Sequence, residues 1–237
     1  MNNFRSSARG CAPAIVLAAA MAFGASASAA SLTEGFETVL PAGWTGANLS
    51  VPLGSTNWFQ GNSTVFPAQA GTANSYAGAN FNNGAGVATI SDWLITPTLT
   101  FNNGDALSFF TRTVDSPAFA DRLEVRFSNV GGTNVGATAT SVGDFTTLLL
   151  TVNPSLVAAG YPNTWTNYST TITGLSGPTS GAIAFRYFVT NGGPSGANSD
   201  YIGIDTVSIT AVPEPESYAL AMAGLAVLGL RARRRRS

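Results

Sequence analysis

The 237-residue chain is 45% hydrophobic and 10% charged, with 26 Gly and 12 Pro, a composition typical of folded rather than disordered proteins. It contains no His, all 11 basic residues are Arg, and its one Cys is Cys11, which excludes His-dependent triads, lysine Schiff bases and His-ligated zinc sites. Seven arginines lie in the terminal segments, and residues 31–212 hold four arginines against ten acidic residues. Nucleic acid is therefore excluded as a partner, because binding it needs a cationic surface.

The first 29 residues predict a signal peptide. Arg5 and Arg9 precede an apolar run, CAPAIVLAAAMAFGA, and small residues follow it, which is the order that signal peptidase recognises. Ala27 and Ala29 form the expected cleavage motif, so that the mature chain starts at Ala30. Cleavage one residue later, before Ser31, is the alternative position. A buried N-terminal helix is the alternative to a signal peptide. Cys11 lies at the start of the apolar run rather than after it, which argues against a lipoprotein.

Residues 30–212 predict one all-β domain. No segment shows apolar residues at helical spacing, whereas Thr, Val, Phe, Tyr and Ile alternate with polar residues between turn clusters rich in Gly, Asn and Pro. About ten strands are expected: Gly35–Thr38, Trp58–Gly61, Ser75–Phe81, Val87–Phe101, Ala106–Val114, Asp121–Asn129, Phe145–Val152, Thr164–Leu175, Ala182–Thr190 and Tyr201–Val212. Strands joined by short turns without helices favour a two-sheet antiparallel β-sandwich of the jelly-roll type.

Two strands carry further information. In Asp121–Asn129, apolar residues alternate with Arg122, Glu124 and Arg126, which predicts one buried face and one solvated face with ion pairs across strands. In the last strand, the inward apolar positions change phase between Ile204 and Val207. This change predicts a β-bulge at Asp205-Thr206.

Short blocks in order along the domain resemble a known group of bacterial surface domains. They read EGFETVLPAGWT, SDWLITPTLTF, LSFFTRT, DRLEVRFS, AIAFRYF and YIGIDTVSI. These blocks are similar to the cleaved-adhesin and MAM-like jelly rolls of the choice-of-anchor J group. The resemblance implies a β-sandwich that acts in adhesion or binding rather than catalysis.

Residues 213–237 contain three blocks in strict order. Pro213, Glu214 and Pro215 are followed by an apolar run from Tyr218 to Leu230, and then by RARRRRS. Thirteen residues make about 20 Å of helix, short of the roughly 30 Å hydrocarbon core, and the arginines favour the cytoplasmic side. This tail resembles the bacterial Pro-Glu-Pro (PEP-CTERM) signal read by exosortases. It implies a Gram-negative precursor held transiently in the inner membrane, then cleaved and passed to the cell surface or extracellular polymer; a plain membrane anchor is the alternative.

The resemblance to the adhesin group also implies a calcium site. Relatives hold calcium between the opening Phe-Glu segment and the closing Ile-Asp strand, which correspond here to Glu37 and Asp205, with Glu34 and Asp200 as further candidate ligands. Calcium takes six to eight oxygen ligands. In the alternative without metal, Glu37 binds backbone amides, and Asp205 pairs with an arginine or caps the bulge.

Aromatic and acidic residues supply the other candidate sites. Trp165 and Tyr168 lie beside asparagines and are candidate sugar-stacking residues, whereas Trp93 is expected in the core. Catalysis would need paired carboxylates, of which Asp115, Asp121 and Glu124 are the nearest in sequence. The sequence thus favours an exported, non-enzymatic adhesive or structural protein whose partner is an extracellular polysaccharide or surface protein, with a carbohydrate-binding module as the alternative.

Overall fold

The computed structural model describes residues 31–212, 222–225 and 228. The first of these ranges contains thirteen strands and one short 3-10 turn at Phe81–Asn83. The strands are β1 (Ser31–Glu34), β2 (Thr45–Asn48), β3 (Val51–Leu53), β4 (Phe59–Gln60), β5 (Ala77–Asn80), β6 (Gly84–Ile95), β7 (Leu99–Phe101), β8 (Ala106–Thr113), β9 (Leu123–Ser128), β10 (Thr147–Val152), β11 (Thr166–Thr171), β12 (Thr179–Gly192) and β13 (Tyr201–Thr210).

The strands form two antiparallel sheets, which confirms the predicted sandwich. Sheet I has the order β11-β8-β13-β5-β4, with β1 also paired to β13. Sheet II has the order β10-β9-β12-β6-β2, with β3 added to β6 and β7 to β12. Apolar residues from the facing sides of both sheets form the main core, with Phe109, Leu94 and Phe185 among its fully buried members.

The bulge in β13 lies where the sequence predicts it. The register between β13 and β8 shifts between Asp205 and Ser208, and Thr206 has a φ of 49°. Ile204 before the bulge and Val207 after it are both fully buried, so the extra residue restores the inward face of the strand.

The second face of sheet II is also covered, contrary to expectation. The segment 130–145 lies over it and buries Trp93 and Phe145 in a second apolar cluster. Trp93 is therefore in the interior, as predicted. Glu124, however, is only 8% exposed and Arg186 only 1%, so the prediction of a solvated charged face on β9 is wrong. Alternation on one strand does not reveal that a distant loop covers the charged side.

Strand boundaries differ from the predicted ones where local chemistry interrupts pairing. The predicted strand Val87–Phe101 is divided into β6 and β7, because Pro97 lies between them and has no N–H to donate to a ladder. Residues 35–38 are not a strand, and the opening strand is β1, directly before them. The short strands β2 and β3 were not predicted.

The first and last strands of the domain place its two chain termini at the same end of the sandwich. β1 pairs with the last part of β13, so that Ser31 is opposite Thr210. We call this the tethered end. The distal end, where β13 begins, carries the connections after β5, β8 and β12. Since β13 has ten residues, the two ends are about 30 Å apart.

Several sequence predictions lie outside the described residues. These are the cleavage residues Ala27 and Ala29, the motif Pro213, Glu214 and Pro215, and the arginine tail. Residues 222–225 and 228 of the apolar run are helical. Among the described residues, no helix is long and apolar enough to cross a membrane.

Candidate functional site

The sequence predictions fall into several separate places in the fold. At the tethered end, the chain leaves β13 and is held just before the predicted sorting motif. The Val212 amide donates to Asp105 Oδ1 at 3.1 Å, and the Asn102 amide donates to Asp105 Oδ2 at 2.8 Å. Asp105 is fully buried. These hydrogen bonds therefore hold the chain of the domain up to Val212, the residue before Pro213.

Glu37 and Asp205 contact the same loop, residues 69–75. The amides of Gln69 and Ala70 donate to Asp205 Oδ2 at 2.8 and 3.1 Å, and the Thr206 amide donates to Oδ1 at 2.6 Å. Ser75 Oγ donates to Glu37 Oε2 at 2.7 Å. Asp205 therefore caps the bulge and fixes the loop, while Glu37 reaches the loop from the opening segment.

The side-chain oxygens around this loop are of the type that calcium prefers as ligands, but there are too few of them to fill its coordination shell. They are two carboxylates and the Gln69 side-chain oxygen, which accepts from Thr206 Oγ1 at 2.7 Å. Both oxygens of Asp205 already accept backbone N–H groups, and burial raises the pKa of Asp205. Within the described part of the chain, no three acidic side chains lie close enough to share a metal ion. Backbone carbonyls would have to complete a calcium shell.

The two further candidate ligands are differently placed. Glu34 is on β1, and its Oε1 accepts from the Phe36 amide at 2.7 Å. Asp200 precedes β13 at the distal end, five residues along the chain from Asp205, which is roughly 16 Å of extended strand. Asp200 therefore does not share a site with Asp205.

The predicted sugar-stacking residues are half-buried. The Trp165 indole N–H donates to the Pro67 carbonyl at 2.9 Å, and its ring packs edge-on against Phe66 and Tyr76 with centroids 5.6 Å away. Tyr168 stacks on Phe109 with centroids 6.0 Å apart. Both rings thus contribute to packing at the side of sheet I.

The three carboxylates considered for catalysis lie in three different environments. Asp115 is exposed and pairs with Arg112 at 2.6 Å. Glu124 is buried between Arg126 and Arg186, at 2.8 and 3.1 Å. Asp121 is fully buried. The described geometry does not bring two of them together as an acid and base pair.

Asp121 organises the distal end from within. Its Oδ1 accepts from Tyr187 Oη at 2.5 Å and from the Asp200 amide at 2.8 Å. Thr113 Oγ1 lies 2.7 Å from Oδ2 and 2.9 Å from the Tyr201 carbonyl oxygen, and it can donate its one proton to either of them. Burial raises the pKa of Asp121 to about 6, against the opposing effect of these hydrogen bonds.

A cleft at the distal end was not predicted from the sequence. It has a volume of about 150 Å³, and we call it the distal cleft. It is lined by Phe81, Phe119, Gly193, Pro194, Gly196, Ser199 and Asp200. Phe119 is the one sequence signal that could have indicated it, because a connection between strands does not need a large aromatic residue.

Comparisons with known proteins agree with this architecture. Residues 29–209 match the family model of the Cleaved Adhesin Domain, and residues 211–236 match that of the PEP-CTERM protein-sorting motif. The K1 cleaved adhesin domain of Lys-gingipain from Porphyromonas gingivalis is 25% identical, with a TM-score of 0.55, and the match covers 78% of this chain and 99% of that one.

The K2 domain of Lys-gingipain, at 20% identity and a TM-score of 0.52, covers 77% of this chain and 99% of its own, and it supports the fold alone. No curated protein matches the chain in sequence. The chain therefore belongs to the cleaved adhesin domain family and carries a PEP-CTERM sorting motif directly after that domain.

Proposed function

We propose that this protein is an exported, non-enzymatic adhesive component of the cell surface or extracellular polymer. The observation that carries the proposal is the order of the two family matches: a cleaved adhesin domain at residues 29–209 is followed at once by a sorting motif at residues 211–236. A binding domain so placed is delivered to the surface as a unit.

The route of export follows from the same order. Signal peptidase cleaves at Ala27-Ser28-Ala29, the precursor is held in the inner membrane of a Gram-negative cell by residues 218–230, and exosortase acts at Pro213-Glu214-Pro215. The tethered end supports this route, since Ser31 and Thr210 are paired neighbours. The first described residue after the one predicted processing site and the strand that leads to the other are therefore at the same end of the domain.

A role in binding rather than catalysis is supported by the separation of the carboxylates. Asp115 is exposed and paired, Asp121 is internal, and Glu124 is neutralised by two arginines. Glycoside hydrolysis needs two carboxyl groups that face one bond. Purified protein is expected to leave polysaccharides intact in a reducing-end assay, and release of new ends that is lost in Asp121→Asn would contradict the proposal.

The sorting step is tested on the full chain in its native host. Replacement of Pro213, Glu214 and Pro215 by Ala is expected to leave the protein full-length in the membrane fraction, whereas the parent is trimmed near Glu214 and found at the surface. Intact mass and cell fractionation measure both. The matched control replaces Glu216 and Ser217, in the same segment, and is expected to be processed normally. Retention of residues 231–237 by the parent in the membrane would make the tail an ordinary anchor.

Calcium is a further part of the proposal. It would join Glu37 and Asp205 across the loop 69–75 and stabilise the folded state by binding it preferentially. At millimolar concentration, calcium is expected to raise the melting temperature of residues 30–212 above that in chelator. Glu37→Gln, which keeps an acceptor for Ser75 but removes a charge, is expected to lose this increase. An unchanged melting temperature in the parent would remove calcium from the proposal.

A carbohydrate-binding module remains the second candidate. Trp165 and Tyr168 are partly exposed beside edge strand β11, and partly exposed aromatic rings can stack on sugars. A glycan array distinguishes this candidate: binding that is lost in Tyr168→Ala would favour it, and an array without binding would remove it.

A further inference from the structure

The distal cleft is formed by three connections that are far apart in the sequence. Phe81 begins the 3-10 turn after β5, Phe119 lies between β8 and β9, and the residues from Gly193 to Asp200 join β12 to β13. The Phe81 amide donates to the Asp200 carbonyl at 3.0 Å, and the Ser199 amide donates to the Ala120 carbonyl at 2.8 Å. Backbone hydrogen bonds therefore hold the three connections together, which leaves side chains free to face the cleft.

Two phenylalanines remain exposed there without contributing to the core. Phe119 is 44% exposed and Phe81 36% exposed. Large apolar side chains at the edge of a concave surface are characteristic of binding sites. Their position matters also, because the cleft is about 30 Å from the tethered end along β13. It faces away from the place where both terminal segments leave the domain.

The polar groups of the cleft offer a carboxylate acceptor and, as the one side-chain donor among its described lining residues, the Ser199 hydroxyl, which itself accepts from the Gly193 amide. Among the described residues, the Asp200 carboxylate accepts no hydrogen bond and forms no ion pair. The neighbouring amides are already used: Gly193 donates to Ser199 Oγ, Ser195 to the Gly86 carbonyl and Gly196 to the Gly193 carbonyl, at 2.9 to 3.0 Å. Pro194 has no N–H. No basic side chain lines the cleft within the described chain.

This combination selects for a cationic ligand with an apolar stem. An anion would meet an uncompensated carboxylate and find only the Ser199 hydroxyl as a side-chain donor. A neutral sugar could donate to Asp200, but this one hydroxyl could satisfy few of its acceptors. An ammonium or guanidinium group only donates, and its hydrocarbon stem can pack on phenylalanine rings, with a cation–π contribution. Acidic residues outnumber arginines in residues 31–212, and the resulting negative charge attracts such groups as well.

We propose that the distal cleft binds a lysine or arginine side chain exposed on a partner protein, with Asp200 as the counter-ion and Phe81 and Phe119 against the stem. The inference rests on the proposed adhesive function and names the class of partner. The Asp200 side chain is suited to this role because its backbone, and not its carboxylate, holds the loop in place.

The test uses the full chain, labelled with ¹⁵N, in detergent. The probe is the peptide acetyl-Gly-Lys-Gly-amide, and its matched control is the same peptide with the lysine amine acetylated. The lysine peptide is expected to shift the amide signals of Gly193, Gly196 and Asp200, with affinity that falls at high salt. The acetylated peptide is expected to leave these signals unchanged.

Three variants localise the effect. Asp200→Asn is expected to weaken binding about tenfold, because it removes the charge and keeps the shape. Phe119→Leu is expected to weaken it by a smaller factor through loss of the cation–π contact. Asp115→Asn removes the same charge from an exposed position at the same end and is expected to bind as the parent does.

Three results would overturn the proposal. These are the absence of shifts with the lysine peptide, equal binding of the acetylated peptide, and undiminished binding by Asp200→Asn. A glucose tetrasaccharide that shifts the same signals, without a lysine effect, would assign the cleft to carbohydrate instead. The sorting experiment measures processing and location, so the failure of either experiment leaves the other result intact.

Discussion

Asp121 is a buried acid whose surroundings fit its protonated form. Thr113 Oγ1 has one proton but lies within hydrogen-bond distance of both Asp121 Oδ2, at 2.7 Å, and the Tyr201 carbonyl oxygen, at 2.9 Å, so it can donate to only one of them. When it donates to Tyr201, it can accept the proton of a neutral Asp121. Burial raises the pKa of Asp121 to about 6, although hydrogen bonds to its carboxylate oppose this effect.

The raised pKa predicts a specific pH dependence of stability. Between about pH 4, where the unfolded chain loses this proton, and about pH 6, the folded state holds more protons, so the free energy of unfolding falls as pH rises, by about 3 kcal/mol from this group. Asp121→Asn mimics the protonated acid, since its amide can donate to Thr113 Oγ1. Relative to the parent, this variant is expected to gain stability from pH 4 to pH 7 in urea denaturation.

The same chemical change at an exposed acid supplies the control. Asp115→Asn is expected to show no comparable gain, because Asp115 is largely exposed to solvent. A constant difference between Asp121→Asn and the parent across this pH range would mean that Asp121 is ionised in the folded protein at all of these pH values.

Sequence patterns predicted some residues well and others not at all. Trp93 lies in an apolar strand, so that its burial could be predicted. The burial of Asp121 could not, because its partners Tyr187 and Asp200 are 66 and 79 residues away. Likewise, Phe81, Phe119 and Asp200 become neighbours only when three connections meet at the distal end. Glu37 and Asp205 were paired through family resemblance, and their metal binding remains a prediction.

At the scale of elements, β9 and β12 carry an ion pair beneath a covering loop. Arg186 contacts Glu124 at 3.1 Å, lies over the Phe188 ring at 3.8 Å from its centroid, and donates to the Ala139 carbonyl of the covering segment 130–145. Burial lowers the pKa of Arg186 to about 10, although Glu124 opposes this effect. Arg186 therefore joins the sheet to its cover.

Arg186→Met is expected to destabilise the domain by about 3 to 5 kcal/mol, because it leaves Glu124 buried with less compensation. Urea denaturation measures the loss, and hydrogen exchange is expected to accelerate across residues 130–145. The double variant Arg186→Met with Glu124→Gln removes both charges and is expected to recover part of the stability. A single variant as stable as the parent would show that the pair contributes little.

The positions of most strands along the chain could be inferred from alternation and turn residues, but their order within the sheets and the layer outside the sandwich could not. β8, β9 and β13 were expected close to their observed positions: β9 alternates clearly, and β13 does so on either side of its predicted bulge. The segment 130–145 is rich in Gly and Thr and shows no period. Its place over sheet II depends on contacts such as that of Arg186, which no local pattern reveals.

At the scale of the whole molecule, β1 completes sheet I at the tethered end. β13 is paired with β8 along one side, and its other side is shared by β5 at the distal end and β1 at the tethered end. Val207 and Ile209, which face the core from this part of β13, are at most 2% exposed. The predicted cleavage after Ala29 leaves this pairing intact, because it precedes Ser31.

Removal of β1 is therefore expected to weaken the domain at the end that carries the sorting motif. A chain covering residues 35–212 loses the hydrogen bonds between Ser31–Glu34 and β13 and the packing of Leu32, and its free energy of unfolding is expected to fall by about 2 kcal/mol. This corresponds to a melting temperature lower by roughly 4 to 8 °C for a domain of this size.

The comparison chain starts at Ala27. It is expected to have the same melting temperature as the chain that starts at Ala30, since both chains contain all of β1. Equal melting temperatures with and without residues 31–34 would show that β13 needs no partner at its tethered end. In that case cleavage by signal peptidase could vary by several residues without effect on the fold. A clearly lower melting temperature without residues 31–34 would instead mean that the position of this cleavage determines how stable the adhesin domain is at the end that carries the sorting motif.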